Sequence, residues 1–140
     1  MPVTPKNVVF DTSALLCLKQ DEPGAEEVAR MLREAGAKNR AFVSFISLME
    51  FYYILEQSHG EAHARRDYLE LKMLPLRVVE SDEELGLAAA RIKAQAKLSV
   101  ADAWIAATAE RLQATLIHKD PEFDQLRDQI SLHALPYKHS

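Results

Sequence analysis

The 140-residue chain has 21 acidic and 17 basic side chains, a formal charge of −4, 48% hydrophobic and 27% charged residues, which is the composition of one soluble globular domain, expected over residues 1–140. No apolar run approaches the roughly 18 residues of a membrane helix, the opening MPVTPKNVVF lacks the apolar region and cleavage site of a signal peptide, and a single cysteine, Cys17, excludes an internal disulfide framework. A cytoplasmic protein with a buried thiol is expected, and the negative balance argues mildly against a nucleic-acid partner unless the acids gather around cations, since two divalent ions would bring −4 to 0.

In chain order, residues about 7–11 (Val8, Val9, Phe10 at their centre) predict a strand, and 12–20 a short helix. DEPGAEEVARMLREAG predicts a second helix, with Val28, Leu32 and Ala35 inward and Gly36 as its stop. AFVSF (41–45) reads as a strand, and SLMEFYYILEQ (47–57) as a helix apolar on nearly all sides, hence buried or covered by a partner. A helix over 61–74 ends at Pro75, and 76–80 is a short strand. Leu85, Ala88, Ala89, Ile92 and Ala96 recur at helical spacing, as do Ala101, Trp104, Ile105, Thr108 and Leu112. TLIH (115–118) predicts a strand, PEFDQLRD a short helix and SLHAL a weak last strand. Strands separated by helices predict an α/β fold, with a mainly parallel central sheet covered on both faces.

Four carboxylates fall at strand ends or helix starts: Asp11, Glu50, Asp102 and Asp120. Each has a purely structural explanation. Asp11 suits the N-cap of the helix that follows it. Ser47-x-x-Glu50 and Ser99-x-x-Asp102 match the capping box, and Asp120-Pro121 matches an N-cap with proline at the first helical position. Ser81-x-x-Glu84 has the same pattern in the easily solvated SDEEL and serves as an internal control. Glu50 and Asp102 differ from it in being set among apolar residues, where a charge is costly unless paired or bound to a metal. Three or four such partly buried acids without a lysine or arginine beside their carboxylates would repel one another and bind protons more tightly unless a cation held them together. Hard oxygen ligands suit Mg²⁺ or Mn²⁺, whereas the five histidines show no paired zinc spacing.

VVFDTSALL, SLMEFYYIL, LSVADAWIAATA and LIHKDPEF, in that order and spacing, resemble the PIN-domain family, most closely the VapC-like toxins of toxin–antitoxin modules. The resemblance covers nearly the whole chain. It implies a three-layer α/β/α sandwich and a Mg²⁺- or Mn²⁺-dependent endoribonuclease, with Asp11, Glu50, Asp102 and Asp120 as the catalytic, metal-holding acids. Asp11 would be the central ligand, and Thr12 or Ser13 would add polar assistance. It also implies an antitoxin partner that covers the acidic site with an Arg or Lys. The chain departs from the family in two places. His118 stands where a Thr or Ser is usual, and Glu122 where a second Asp is usual. His118 is read either as a general acid or RNA contact, or as a buried strand-end histidine; Asp124 is read as solvent-facing.

RNA could track Lys19, Arg65, Arg66 or Lys119, although these cations are scattered and each also suits a solvated surface. Trp104 reads as core rather than as a base-stacking platform. Tyr52 and Tyr53 cannot both face inward on one helix, which suggests a homodimer interface. Alternative readings are a PIN-like nuclease of RNA processing and a non-catalytic interaction module of the same fold. A phosphatase of the haloacid dehalogenase type is a poor match, because its Asp-x-Asp would need an acid at Ser13.

Overall fold

The computed structural model describes residues 6–137. Five short strands, β1 (Val8–Phe10), β2 (Ala41–Ser44), β3 (Arg77–Val79), β4 (Thr115–His118) and β5 (Ser131–Ala134), form one sheet in the order β3-β2-β1-β4-β5. Every pairing is parallel. Val9 lies opposite Phe42 and Leu116, and all three face one layer of core, whereas Phe10, Val43 and Ile117 face the other. This period-two alternation, with apolar residues on both sides, is what a parallel sheet covered twice requires.

The first layer is built from α5 (Glu83–Gln95) and α6 (Val100–Arg111), with Leu85, Ala89, Ile92 and Ile105 buried. The second layer holds α1 (Thr12–Lys19), α2 (Ala25–Gly36), α3 (Phe45–His59) and α4 (Glu61–Lys72), around Leu15, Val28, Phe51, Leu55 and Leu71. The predicted α/β/α sandwich is therefore the observed one. PEFDQLRD forms a short 3-10 helix, Pro121–Leu126, rather than an α-helix. Chain travel from β1 outward to β3 and then back across to β4 puts the reversal of strand order between β1 and β4. In open parallel sheets a cleft forms there, at the carboxyl ends of the strands.

Three local expectations change. The cap of α3 is Ser44, whose Oγ accepts from the Ile46 N–H at 3.4 Å, not Ser47. The Ser47 hydroxyl is buried and makes no hydrogen bond among the described residues. Glu50 therefore lies in the second turn of α3 and belongs to no capping box. In the control segment the cap is Asp82, accepting from Leu85 N–H at 2.7 Å, and Ser81 plays no part. Gly36 does not stop α2 from outside; it is the helix's last residue, buried against Pro75. A Cβ there would lie 2.6 Å from Pro75 Cγ and 3.1 Å from the Pro75 carbonyl oxygen. Gly36→Ala should therefore destabilise the fold by about 1–3 kcal/mol through overpacking, read as a lower denaturation midpoint; an unchanged midpoint would mean that α2 and the Pro75 segment are not in close contact.

Candidate metal centre at the carboxyl edge of the sheet

β1 ends where Asp11 N–H donates to the Ile117 carbonyl at 3.1 Å, so Asp11 leaves the sheet beside β4. Its carboxylate caps α1, accepting from Ala14 N–H at 2.8 Å. It also accepts from the Ser13 hydroxyl, 2.8 Å from both oxygens. Ser13 Oγ in turn accepts from Lys119 N–H at 2.9 Å, which fastens the end of β4 to the start of α1. The capping and site explanations of Asp11 are thus compatible: one oxygen caps the helix while the group as a whole stands at the cleft.

The other acids arrive from three elements. Glu50 comes from α3 and accepts from the Thr12 hydroxyl at 2.6 Å. Asp102 lies in the first turn of α6, where its own N–H donates to the Ser99 cap at 3.0 Å. The short link from α6 to β4 makes the two run antiparallel, so the N-terminus of α6 lies at the carboxyl edge. Asp120 caps the 3-10 helix, accepting from Glu122 N–H at 2.9 Å. Carboxylate oxygens of Asp102, Asp120 and Glu122 lie within 4.8 Å of one another. Glu122 is the member that sequence reasoning passed over as a departure. The available signal was its place two residues after Asp120, at the start of the same short helix.

Burial and mutual repulsion have measurable consequences here. Asp11 is 2% exposed. Burial pushes its pKa up to about 8, against the Ala14 and Ser13 hydrogen bonds, and Asp102 and Asp120 push it further the same way. Burial, then Asp120 and Glu50, push Asp102 up to about 6 against a hydrogen bond from Ser99, and Glu122 adds to the rise. Among the described residues no Lys, Arg or His forms an ion pair with any of the five acids. Lys119, the nearest cation in sequence, is half-buried with its side chain covered; its ammonium is 3.3 Å from Glu22 and 3.0 Å from the Pro23 carbonyl. An all-carboxylate, oxygen-only set lacking an internal counter-charge fits a hard divalent cation.

His118 is fully buried. Its Nδ1 accepts from Asp120 N–H at 3.3 Å, and burial lowers its pKa from the usual histidine value. This placement favours the strand-end reading over contact with RNA. Asp124 is exposed. Trp104 packs edge-on against Phe45, with centroids 5.0 Å apart, as a core residue does.

The raised proton affinities fix the sign of a pH effect. Asp11 and Asp102 bind protons more tightly folded than unfolded, so their favourable contribution is complete below about pH 4 and is lost as pH rises through about 6 and 8. Metal-free wild type should therefore lose stability relative to Asp11→Asn as pH rises from 5 to 8, at about 1.4 kcal/mol for each tenfold difference in proton affinity. Thermal melts of both proteins in chelator measure this difference. Parallel profiles would mean that Asp11 is not desolvated.

Comparison with known proteins agrees with this fold. The PIN domain profile matches residues 8–129. No curated protein sequence matches the chain. Among solved structures, VapBC2 from Rickettsia felis, bound to a DNA fragment from its promoter, has a TM-score of 0.74 at 15% identity, covering 92% of this chain and 98% of that one. VapBC-1 from nontypeable Haemophilus influenzae gives 0.67 at 23% identity, covering 91% and 96%. Mycobacterium tuberculosis VapC20, a toxin that cleaves the sarcin–ricin loop, gives 0.66 at 16%, covering 85% and 94%. With a family profile spanning most of its length, a parallel sheet of matching architecture and acids at the carboxyl edge, the chain belongs to the PIN domain family.

Proposed function

We propose that the protein is a metal-dependent endoribonuclease, the toxin of a toxin–antitoxin pair, acting in the cytoplasm. The observation that carries this reading is the set of five converging carboxylates with no ion-paired basic partner among the described residues. Asp11, Glu50, Asp102 and Asp120 would hold Mg²⁺ or Mn²⁺, with Glu122 beside Asp102 and Asp120. The chemistry such an ion supplies when bound is acidification of water and neutralisation of charge on a phosphoryl group. The protein's own residues prepare that chemistry. Thr12 restrains the Glu50 carboxylate, and Ser13 orients Asp11 while holding the end of β4.

The cations read as RNA contacts are largely paired elsewhere. Lys19 pairs with Glu70, Lys119 with Glu22 and Arg65 with Glu61. An RNA backbone approaching this edge would therefore depend on metal for its counter-charge. The neighbouring VapBC complexes support an antitoxin partner, and the same uncompensated acids would attract an Arg or Lys from its tail. No described helix is long and apolar enough to cross a membrane.

A homodimer is proposed from the outer surface of α3 and α4. Tyr52 turns inward, edge-on to Tyr68 with centroids 5.7 Å apart, whereas Tyr53 is exposed. Met49 and Tyr53 line a groove of about 390 Å³ with Phe45, Leu48, Tyr52 and Tyr68. Leu69 and Met73 are further exposed apolar residues of this pair of helices and the turn after it.

Purified protein should cleave total RNA with Mg²⁺ or Mn²⁺ and stop in chelator. Asp11→Asn should abolish cleavage while still melting cooperatively; full activity in a clean Asp11→Asn preparation would overturn the metal-nuclease reading. Light scattering should give a dimer for wild type and a monomer for Tyr53→Arg. A wild-type monomer at high concentration would remove the proposed interface.

A further inference from the structure

We propose that His118 is a positioning residue for Asp120, acting through the lone pair of its Nδ1. Two successive N–H groups leave β4 at the site, and side chains capture both. Lys119 N–H goes to Ser13 Oγ at 2.9 Å, and Asp120 N–H goes to His118 Nδ1 at 3.3 Å. The first bond ties the turn to Asp11, because the same Ser13 hydroxyl donates to that carboxylate. The second sets the backbone of Asp120 itself, whose side chain then accepts from Glu122 N–H. The two captured amides thus fix Asp120 relative to Asp11 from both sides of the turn.

An imidazole that accepts at Nδ1 carries its proton on Nε2. That Nε2 is buried and makes no hydrogen bond among the described residues. A buried donor without a partner destabilises the fold, and an aliphatic side chain of similar size would fill the space without one. Packing alone therefore does not account for a histidine at this position. The ring is also held in one orientation, with Phe123 edge-on at 5.3 Å and Tyr137 at 6.2 Å between centroids. What the histidine supplies and an aliphatic residue cannot is a fixed acceptor facing the Asp120 amide.

This inference rests on the metal-binding reading of the site, and the experiment separates the two. Mn²⁺ affinity is measured by calorimetry on metal-free wild type and on His118→Asn, His118→Gln and His118→Leu, alongside thermal melts and ¹⁵N spectra of the imidazole. Asparagine places an acceptor oxygen near the position of Nδ1, while its NH2 group keeps a buried donor in the site as the imidazole does; it should keep near-wild-type affinity. Glutamine reaches toward Nε2 instead, and leucine offers no acceptor; both should bind Mn²⁺ about 10- to 100-fold more weakly. The leucine variant should do so while melting close to wild type, which a merely structural role does not predict. If leucine prevents folding, the asparagine–glutamine pair decides. Equal affinities in all four proteins, or a wild-type spectrum with the proton on Nδ1, would overturn the role of His118 and leave the metal centre standing. Wild type that binds no Mn²⁺ would overturn both.

Discussion

Mutual repulsion among carboxylates is the constraint on which the rest of this structure depends. Two like charges about 4 Å apart at a protein surface oppose each other by roughly 4 kcal/mol, and three of the acids here approach within 4.8 Å. The fold compensates only in part. Asp11, Asp102 and Asp120 each stand at a helix N-terminus, where free N–H groups and the end of the helix dipole favour negative charge. Glu50 lacks that help and leans on the Thr12 hydroxyl. Such dipoles and hydrogen bonds carry fractions of a charge. The remaining requirement, a full positive charge, is met by no ion pair to the acids among the described residues.

The topology explains why these acids meet at all. They are separated by as many as 111 positions in the chain, yet four follow a strand or lie in the first turn of a helix at one edge of the sheet, and Glu50 joins them from the second turn of α3. The return of the chain across the sheet makes β1 and β4 neighbours, which brings Asp11 beside the turn that carries Asp120. Helix α6 reaches the same edge because it is rich in alanine. Ala103, Ala106, Ala107 and Ala109 are all buried and let the helix lie close to the sheet and to α5. Bulkier side chains there would push Asp102 outward, away from the acids to which it is coupled.

Much of this was legible in the sequence, because the strongest signals are local and periodic. Alternating apolar strands, Leu and Ala at helical spacing and acids at element ends specify the layers and four of the five carboxylates. Failures occurred where two residues competed for one local role. Ser44 and Ser47 are both capping types, and the winner is set by where β2 stops, which depends on pairing with β3. Asp82 displaced Ser81 for a comparable reason: the chain enters α5 one residue later than the pattern suggested. Gly36 was read as a helix stop, although what requires it is close approach by Pro75, a contact 39 residues away. Glu122 was passed over because only the 3-10 turn behind Asp120 carries it to Asp102. The Pro75 contact of Gly36 and the β2–β3 pairing that decides between Ser44 and Ser47 have no signature within a ten-residue window.

The charge arrangement around the site follows the same logic. Lys119 immediately precedes Asp120 and could have neutralised the cluster, yet its ammonium turns away to Glu22 and the Pro23 carbonyl. That pairing pins the α1–α2 connection and at the same time keeps the Lys119 charge away from the carboxylates. A lysine directed toward Asp120 would satisfy the acids permanently and fill the place a cation needs. The protein's own residues therefore set two unfavourable features side by side, a desolvated Asp11 and a buried His118 Nε2 that has no hydrogen-bond partner among the described residues. Either could be relieved by a neutral substitution. Strain retained at one spot and offset by packing elsewhere is characteristic of functional sites, and here both features lie at the ends of β1 and β4, where the sheet reverses its strand order.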